Sequence, residues 1–472
     1  MGMHALKLFA FLLLATASLA AAPRPNILFI LADDMGYGDP RCFNPKSKIP
    51  TPNIDKLAAE GLRFTDAHAP GAVCVPSRYG LLTGRYPFRN QGVNAPTKGA
   101  LITPGQATIA TVLKGAGYRT AMIGKWHEGF DGGDKFDYTK PLRGGPVDHG
   151  FDSFFGQHAS LDIPPYFFIQ NDRCVQPASG HIAAGSSPDW SPIQGAFWRE
   201  GNIASDYKLP EVLSTYTHKA VEHLAQAGEA KEPFFLYLAF TAPHTPWLPG
   251  DEFHGRSQAG MYGDFVAQVD DSIGQVLTEL DKAGLKDNTL VFFSSDNGPV
   301  WFPENEAKYG HSATAGLRGM KGDAWEGGHR MPFIARWPGK VRTGESKELI
   351  GFTDMMATFA AVSGAPAPVG TDSVNLLPEL LGETHAGPVH ETLIIESSRG
   401  VLTLRRGPWK LIPELGSCGF TKPSKVKPAP GGPTGQLYDL ASDPGEQTNL
   451  WAKEPEKVKE LTALLEKCRR EP

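Results

Sequence analysis

The chain is poor in several features that fix function early. It has five cysteines in 472 residues: Cys42, Cys74, Cys174, Cys418 and Cys468. So few exclude a disulfide-stapled miniature scaffold, and the odd number leaves at least one thiol without a partner in the chain. Setting Cys74 aside, the other four allow three pairings or none. No Asn-x-Ser/Thr acceptor occurs anywhere, which argues against a lysosomal or animal-secreted glycoprotein. Positive charge is neither in excess nor clustered: 46 Lys and Arg face 51 Asp and Glu, a formal charge of −5. Nucleic acid is therefore not an expected partner, although a local basic pocket is still allowed. Beyond the N-terminal segment no apolar run approaches the roughly 20 residues of a bilayer span, so no stable membrane insertion is expected. Internal repeats are also lacking.

What is present starts with "MGMHALKLFAFLLLATASLAAAPRPN". Lys7, a short apolar run and the small residues Ser18 and Ala20 read as a secretory signal peptide over residues 1–20, cleaved near Ala20. The expected location is periplasmic or secreted, by bacterial export. The length suits one large domain and one smaller one.

Four apolar runs read as strands buried on both faces: "NILFILADD", "YRTAMIGKWH", "FFLYLAFTAPH" and "TLVFFSSDNG". Helical patterns alternate with them. "TPNIDKLAAEGLRF" places Pro52 at the first helical position with Thr51 as cap. "GDFVAQVDDSIGQVLTELDKAGL" puts Val266, Val269, Ile273, Val276, Leu277 and Leu280 on one face. The expected fold is α/β, with a large, mostly parallel sheet flanked by helices over residues 24–385. After a Gly/Pro-rich connector, residues 386–472 read as a small α+β domain. It has two or three antiparallel strands, a long loop and a closing amphipathic helix.

Each of the four runs ends in polar groups: Asp33 and Asp34, Lys125 and His127, His244, Asp296 and Asn297. Ligands of open α/β sheets bind beyond the carboxyl ends of the strands. A single such residue is more simply a solvated loop charge; four strand ends delivering them together point to an active site. Asp33, Asp34, Asp296 and Asn297 offer only oxygen, which favours one hard cation, Ca²⁺ or Mg²⁺, over zinc. A His in place of Asn297 would have suited a two-zinc site.

The stretch "GAVCVPSRYGLLTGRYPFR" holds Cys74. The bland reading is a small buried apolar residue. However, Pro76 reads as the first helical position, so Cys74 falls at a helix N-terminus, which favours an anion. Arg78 follows about one turn later with a fork suited to oxyanions. Lys125, Lys321 and His244 add positive charge. Together these residues describe a pocket for a tetrahedral oxyanion.

The same residues resemble the formylglycine-dependent (type I, arylsulfatase-like) sulfatases of the alkaline phosphatase superfamily. "CVPSR" followed by "LLTGR" resembles the first family signature, and "GYRTAMIGKWH" the second. "PNILFILADDMGYGD", "APHTPW", "SSDNG", "RGMKGDAWEGGHRMP" and "LYDLASDPGEQTNL" follow in family order. Two positions depart from the pattern. Val75 is bulkier than usual, and Glu128 stands where the family has Leu, an expected change at the pocket rim.

The resemblance implies an alkaline-phosphatase-like fold and an exported sulfuric ester hydrolase. It implies that a maturation enzyme oxidises Cys74 to formylglycine, whose hydrate bears two hydroxyls. One of these oxygens would bind a Ca²⁺ held by Asp33, Asp34, Asp296 and Asn297 and attack sulfur. Arg78 would steady the formylglycine, while Lys125, Lys321 and His244 would hold the sulfate. His244 would protonate the leaving oxygen, and His127 would deprotonate the second hydroxyl to eject sulfate. Ser160 would supply a sulfate-pocket hydroxyl, although a structural serine fits there too. The runner-up is a formylglycine-dependent phosphatase or phosphonate monoester hydrolase. An inactive glycan-binding relative would lack some of these metal or lysine positions, and none is missing. The segments from Arg89 to Gly99, His158 to Arg173 and Phe302 to Thr314 are expected at the substrate rim. A sulfated carbohydrate is the expected substrate.

Overall fold

The computed structural model describes residues 24–90, 92–93, 99–186, 197–230, 232–384 and 386–470. The expected signal segment 1–20 lies outside the described residues.

Sixteen strands occur among the described residues: β1 (Asn26–Ala32), β2 (Leu62–His68), β3 (Arg119–Lys125), β4 (Ser153–Gln157), β5 (Ile169–Gln170), β6 (Arg173–Cys174), β7 (Gly180–Ile182), β8 (Gly201–Ile203), β9 (Phe234–Ala239), β10 (Thr289–Ser295), β11 (Phe333–Arg336), β12 (Gly344–Gly351), β13 (Thr392–Glu396), β14 (Leu402–Arg406), β15 (Trp409–Ile412) and β16 (Gln436–Asp439). Ten of them form one mixed sheet in the order β12-β2-β11-β10-β1-β9-β3-β4-β5-β6. Its centre is parallel: β1 pairs with β10 and β9, and β3 with β9 and β4. Only β11 and the short strand β5 run against the rest; β6, at the edge, pairs antiparallel with β5.

The apolar runs become strands because both faces of the sheet are covered. Every residue of β1, β9 and β10 is buried. The helix Gly260–Lys282 lays Val266, Val269, Ile273, Val276 and Leu280 against the sheet, each at 0% exposure. At about 25 cal/mol per Å² of apolar area, each such side chain is worth roughly 1.5–3 kcal/mol. Helix α1 (Pro52–Ala59) starts on Pro52 after Thr51, as its sequence predicts. The Thr51 side chain makes no cap bond, however, and instead donates to Asp55. Asp270 takes over the capping, accepting from the Asn53 and Ile54 amides at 3.1 and 2.8 Å.

The second sheet is antiparallel, in the order β13-β14-β15-β16, and all of its strands follow residue 386. The helix Pro455–Arg470 covers it with Leu461 and Leu465. Strand β16 is one more than the sequence reading expects, because "QLYD" is too short for its alternation to register. A buried charged seam joins the two sheets. Arg405 bonds Asp66 and Glu326, while Lys410 bonds Glu326 and Glu446, at 2.9–3.0 Å. Charges so deeply buried persist only when paired like this. Cys42, Cys74, Cys174 and Cys418 form no disulfide among the described residues.

Candidate active site

The carboxyl ends of β1, β3 and β10 converge on one floor. Asp33 and Asp34 follow β1, Lys125 closes β3, and Asp296 and Asn297 follow β10. Close packing of these strands is what aligns their ends. A Cβ on Gly124 would sit 1.8 Å from the Ala239 carbonyl oxygen, so only glycine at φ +115° lets β3 lie against β9 there. His244 arrives on the turn after β9, which is tied down by the Asp33 amide donating to the Ala242 carbonyl at 3.0 Å.

Helix α2 (Cys74–Thr83) begins at Cys74 itself, with Val73 as its cap residue. Pro76 is therefore its third residue rather than its first. It still lies among the first four positions, whose amides have no helical acceptor, so a missing N–H costs nothing there. The Cys74 thiol lies 3.4 Å from Asp33 Oδ1 and 3.3 Å from Lys321 Nζ. Burial, with Asp296 and Asp33 nearby, pushes its pKa far above the ordinary thiol value despite Lys125 and Lys321. The sulfur is thus a neutral thiol, not a poised thiolate.

Each floor cation is matched to a carboxylate. Lys125 Nζ lies 2.6 Å from Asp33 Oδ2, Lys321 Nζ 2.6 Å from Asp34 Oδ1, and Arg78 Nη2 2.8 Å from Asp296 Oδ2. Arg78 also donates to the Lys125 carbonyl at 3.1 Å, bracing α2 against β3. Burial alone would raise the Asp33 pKa, but Lys125, then His244 and Arg78, hold it below the ordinary value. Burial opposes the charge on Lys321, yet Asp34 and the neighbouring acids keep it firmly protonated. His127 is the opposite case. Burial and the surrounding Lys125, Arg78, His244 and Lys321 push its pKa well below the ordinary imidazole value, so it is a neutral acceptor. Nδ1 of His244 donates to the Thr245 carbonyl at 2.5 Å, which turns Nε2 towards Asp34 Oδ2, 3.7 Å away.

One atom each from Asp33, Asp34, Cys74 and His244 lies within 4.8 Å of the others. Asn297 Nδ2 donates to Asp34 Oδ1 at 2.6 Å, leaving Asn297 Oδ1 and Asp34 Oδ2 buried without hydrogen-bond partners. Buried orphan oxygens beside three carboxylates fit a hard divalent cation.

Comparison with known proteins adds the family. The family model described as Sulfatase matches residues 25–365. This chain belongs to the sulfatase family. It is a sulfuric ester hydrolase with the alkaline-phosphatase-like fold. It is 33% identical to an N-acetylgalactosamine-6-O-sulfatase of Bacteroides thetaiotaomicron, over 94% of this chain and 93% of the relative. It is 37% identical to human arylsulfatase A, over 93% and 86%. A solved structure from work on glycosaminoglycan metabolism by Bacteroides thetaiotaomicron superposes with a TM-score of 0.84 at 32% identity, covering 95% of this chain and 100% of that one.

In this sulfatase the floor opens into a cavity of about 860 Å³ that reaches Cys74, His127, Ser160, His244 and Lys321. Two of the three expected rim segments reach it, through Ser160, Asp162 and Ile163 and through Phe302, Pro303 and Glu304. Arg89 does not. It is ion-paired to Asp372 at 2.7 Å and lines a different cavity, beside Arg469 and Arg470. Residues 91 and 94–98 of that segment lie outside the described residues. Glu128 is also not at the rim. It is fully buried, neither carboxyl oxygen has a hydrogen-bond partner, and burial pushes its pKa well above the ordinary range against the pull of Arg78 and Lys125. The one-residue step from His127, itself at φ +64°, turns it inward.

Sequence reasoning missed Phe197, Arg199 and the segment from Gly419 to Lys422, all of which line the cavity. The segment lies far along the chain and carries no chemical motif. It arrives because the loop packs on the site: the Ala324 amide donates to the Ser417 carbonyl at 2.8 Å, and Thr421 to Asp323.

Proposed function

We propose that this sulfatase is exported and hydrolyses a sulfate ester on a sulfated carbohydrate, using formylglycine made from Cys74 and one Ca²⁺. The observation that carries this reading is the convergence of Asp33, Asp34, Asp296 and Asn297 on Cys74 in a floor that also holds Lys125 and Lys321.

Asp33, Asp34, Asp296 and Asn297 would hold the ion, which supplies Lewis acidity at the sulfate. Formylglycine supplies hydroxyl oxygens where the neutral thiol offers a poor nucleophile. The chain's own groups do the rest. Lys125 and Lys321 hold the sulfate oxygens, and Ser160 adds a hydroxyl at the same wall. Arg78 orients Asp296 and the start of α2. His127, held neutral, accepts a proton at an imidazole nitrogen. His244 Nε2 donates one to the departing oxygen, its ring fixed by the Thr245 carbonyl. Burial of the floor excludes bulk water and strengthens each of these contacts.

The carbohydrate reading is supported by the N-acetylgalactosamine-6-O-sulfatase relative and by the sugar-sized, partly aromatic cavity. A sulfatase-maturation enzyme acting on Cys74 is the implied partner. The N-terminal pattern Met1–Ala20 supports export. The test is turnover of 4-nitrophenyl sulfate, 4-nitrophenyl phosphate and a panel of sulfated saccharides by matured protein. Sulfate esters are expected to exceed the phosphate in kcat/KM by at least about 10³-fold, roughly 4 kcal/mol of transition-state discrimination. A preference for phosphate would overturn the reading.

A further inference from the structure

The floor of the cavity is strongly charged, but its mouth is electrically balanced. Arg199 stands at the mouth with 63% of its side chain exposed, ion-paired to Oδ2 of Asp162. Asp162 is 93% buried, and its Oδ1 has no hydrogen-bond partner. The pair is fixed to the backbone. The Arg199 amide donates to the Asp162 carbonyl at 3.1 Å, and Tyr166 Oη lies 3.0 Å from that carbonyl and 2.8 Å from the Arg199 carbonyl. Glu304 and Lys422 also line the mouth, again with opposite signs. Phe302 and Phe420, the latter 42% exposed, line the same cavity.

A guanidinium neutralised by a carboxylate has little field left for a second anion, but keeps N–H donors beyond those given to Asp162. Such a group reads a neutral acceptor. The aromatic wall suits the C–H face of a pyranose ring. We propose that Arg199, clamped by Asp162, is a specificity-determining residue that donates to an uncharged hydroxyl or acetamido oxygen of the substrate. The site then takes a saccharide with a single sulfate on an otherwise neutral ring, in preference to a multiply charged sugar. This rests on the sulfate-ester reading of the same site.

The test is a substrate-and-mutant cycle with the methyl glycoside of N-acetylgalactosamine 6-sulfate. It uses deoxy analogues lacking one ring substituent each, the same sugar with a second sulfate, and 4-nitrophenyl sulfate. In the wild type, one deletion is expected to cost about tenfold in kcat/KM, because it removes the partner of a donor that water only partly replaces. In Arg199→Met the same deletion costs less than about threefold, since the donor is already gone. A second sulfate lowers wild-type kcat/KM about tenfold, because no unpaired cation at the mouth repays its desolvation. Arg199→Met leaves the buried Asp162 carboxylate without its ion-pair partner, so its folding is checked by its melting temperature; Asp162→Asn, which loosens the clamp, is the second variant and falls between. Equal penalties in the wild type and Arg199→Met, or preference for the doubly sulfated sugar, overturn the proposal. Cleavage of 4-nitrophenyl sulfate but of no sugar sulfate overturns it while leaving the sulfate-ester reading intact. Cleavage of neither overturns both.

Discussion

The Cys74 thiol donates to Oδ1 of Asp33 at 3.4 Å, a carboxylate that Lys125 holds below its ordinary pKa and so makes a weak base. A thiolate there would meet Asp33 and Asp296 in a buried site, which is why the proton stays on sulfur. As a buried neutral thiol the cysteine is a poor nucleophile in its own right. In matured protein, the peptide containing residue 74 is expected to be lighter than its cysteine form and to react with hydrazines. Cys74→Ala should lower turnover at least about 10³-fold while costing only about 1–2 kcal/mol of stability. Mass spectrometry, kinetics and thermal melts check the three parts. Full activity in the alanine variant would sink the mechanism.

The ion is expected to be one Ca²⁺ per chain, with no zinc. Chelation should lower the melting temperature and abolish turnover, and added Ca²⁺ should restore both. A ligand at 100 times its Kd adds about 2.7 kcal/mol to the folded state. Asp296→Ala removes a ligand and leaves Arg78 buried without its 2.8 Å partner, at a cost of about 3–5 kcal/mol. Elemental analysis of active protein decides the metal; two zinc ions would refute the assignment.

Glu128 is a liability in the core. Its carboxyl is buried and unpaired, with a pKa raised well above the ordinary value by burial. The folded state then holds a proton that the unfolded state has released above the ordinary value near 4.5. Stability from this group is present below that value and is lost as pH rises through the folded pKa. Glu128→Leu is expected to stabilise the fold by about 1–3 kcal/mol, with a larger gain at pH 8 than at pH 5. A pH-independent difference in melting temperature would contradict this.

His158 makes the stability of the fold sensitive to acid. Its ring stacks on Phe167, its Nε2 donates to the Pro165 carbonyl at 3.0 Å, and burial pushes its pKa down to about 4. The unfolded chain binds this proton from the ordinary value near 6.5 downward, whereas the folded chain resists until about 4. Stability is therefore present above 6.5 and falls through that window, by at most about 1.4 kcal/mol per pH unit. His158→Gln should flatten the slope of melting temperature between pH 6.5 and 4. An unchanged slope would show that other groups dominate it.

Among the described residues, the sequence alone determined whatever a local pattern can carry. Uninterrupted apolar runs marked β1, β3, β9 and β10, because strands covered on both faces need no polar side. The residues ending those runs marked the floor, since parallel strands deliver their carboxyl ends to one edge. The set of Asp33, Asp34, Asp296 and Asn297 was legible as an oxygen-only donor set because donor type depends on composition, not geometry, and the structure gathers the four at one floor. The tertiary structure alone decided where neighbouring side chains point and which distant loops meet. Glu128 and His127 are adjacent in the chain, yet one is sealed in the core while the other lines the cavity. Arg89 was drawn away from the site by Asp372, 283 residues further on. Arg199 and Phe420 reached the mouth through long-range packing, which no local periodicity records. Contacts of that kind are set by the whole fold's competition for burial and ion pairing, and a single segment holds no signal of it.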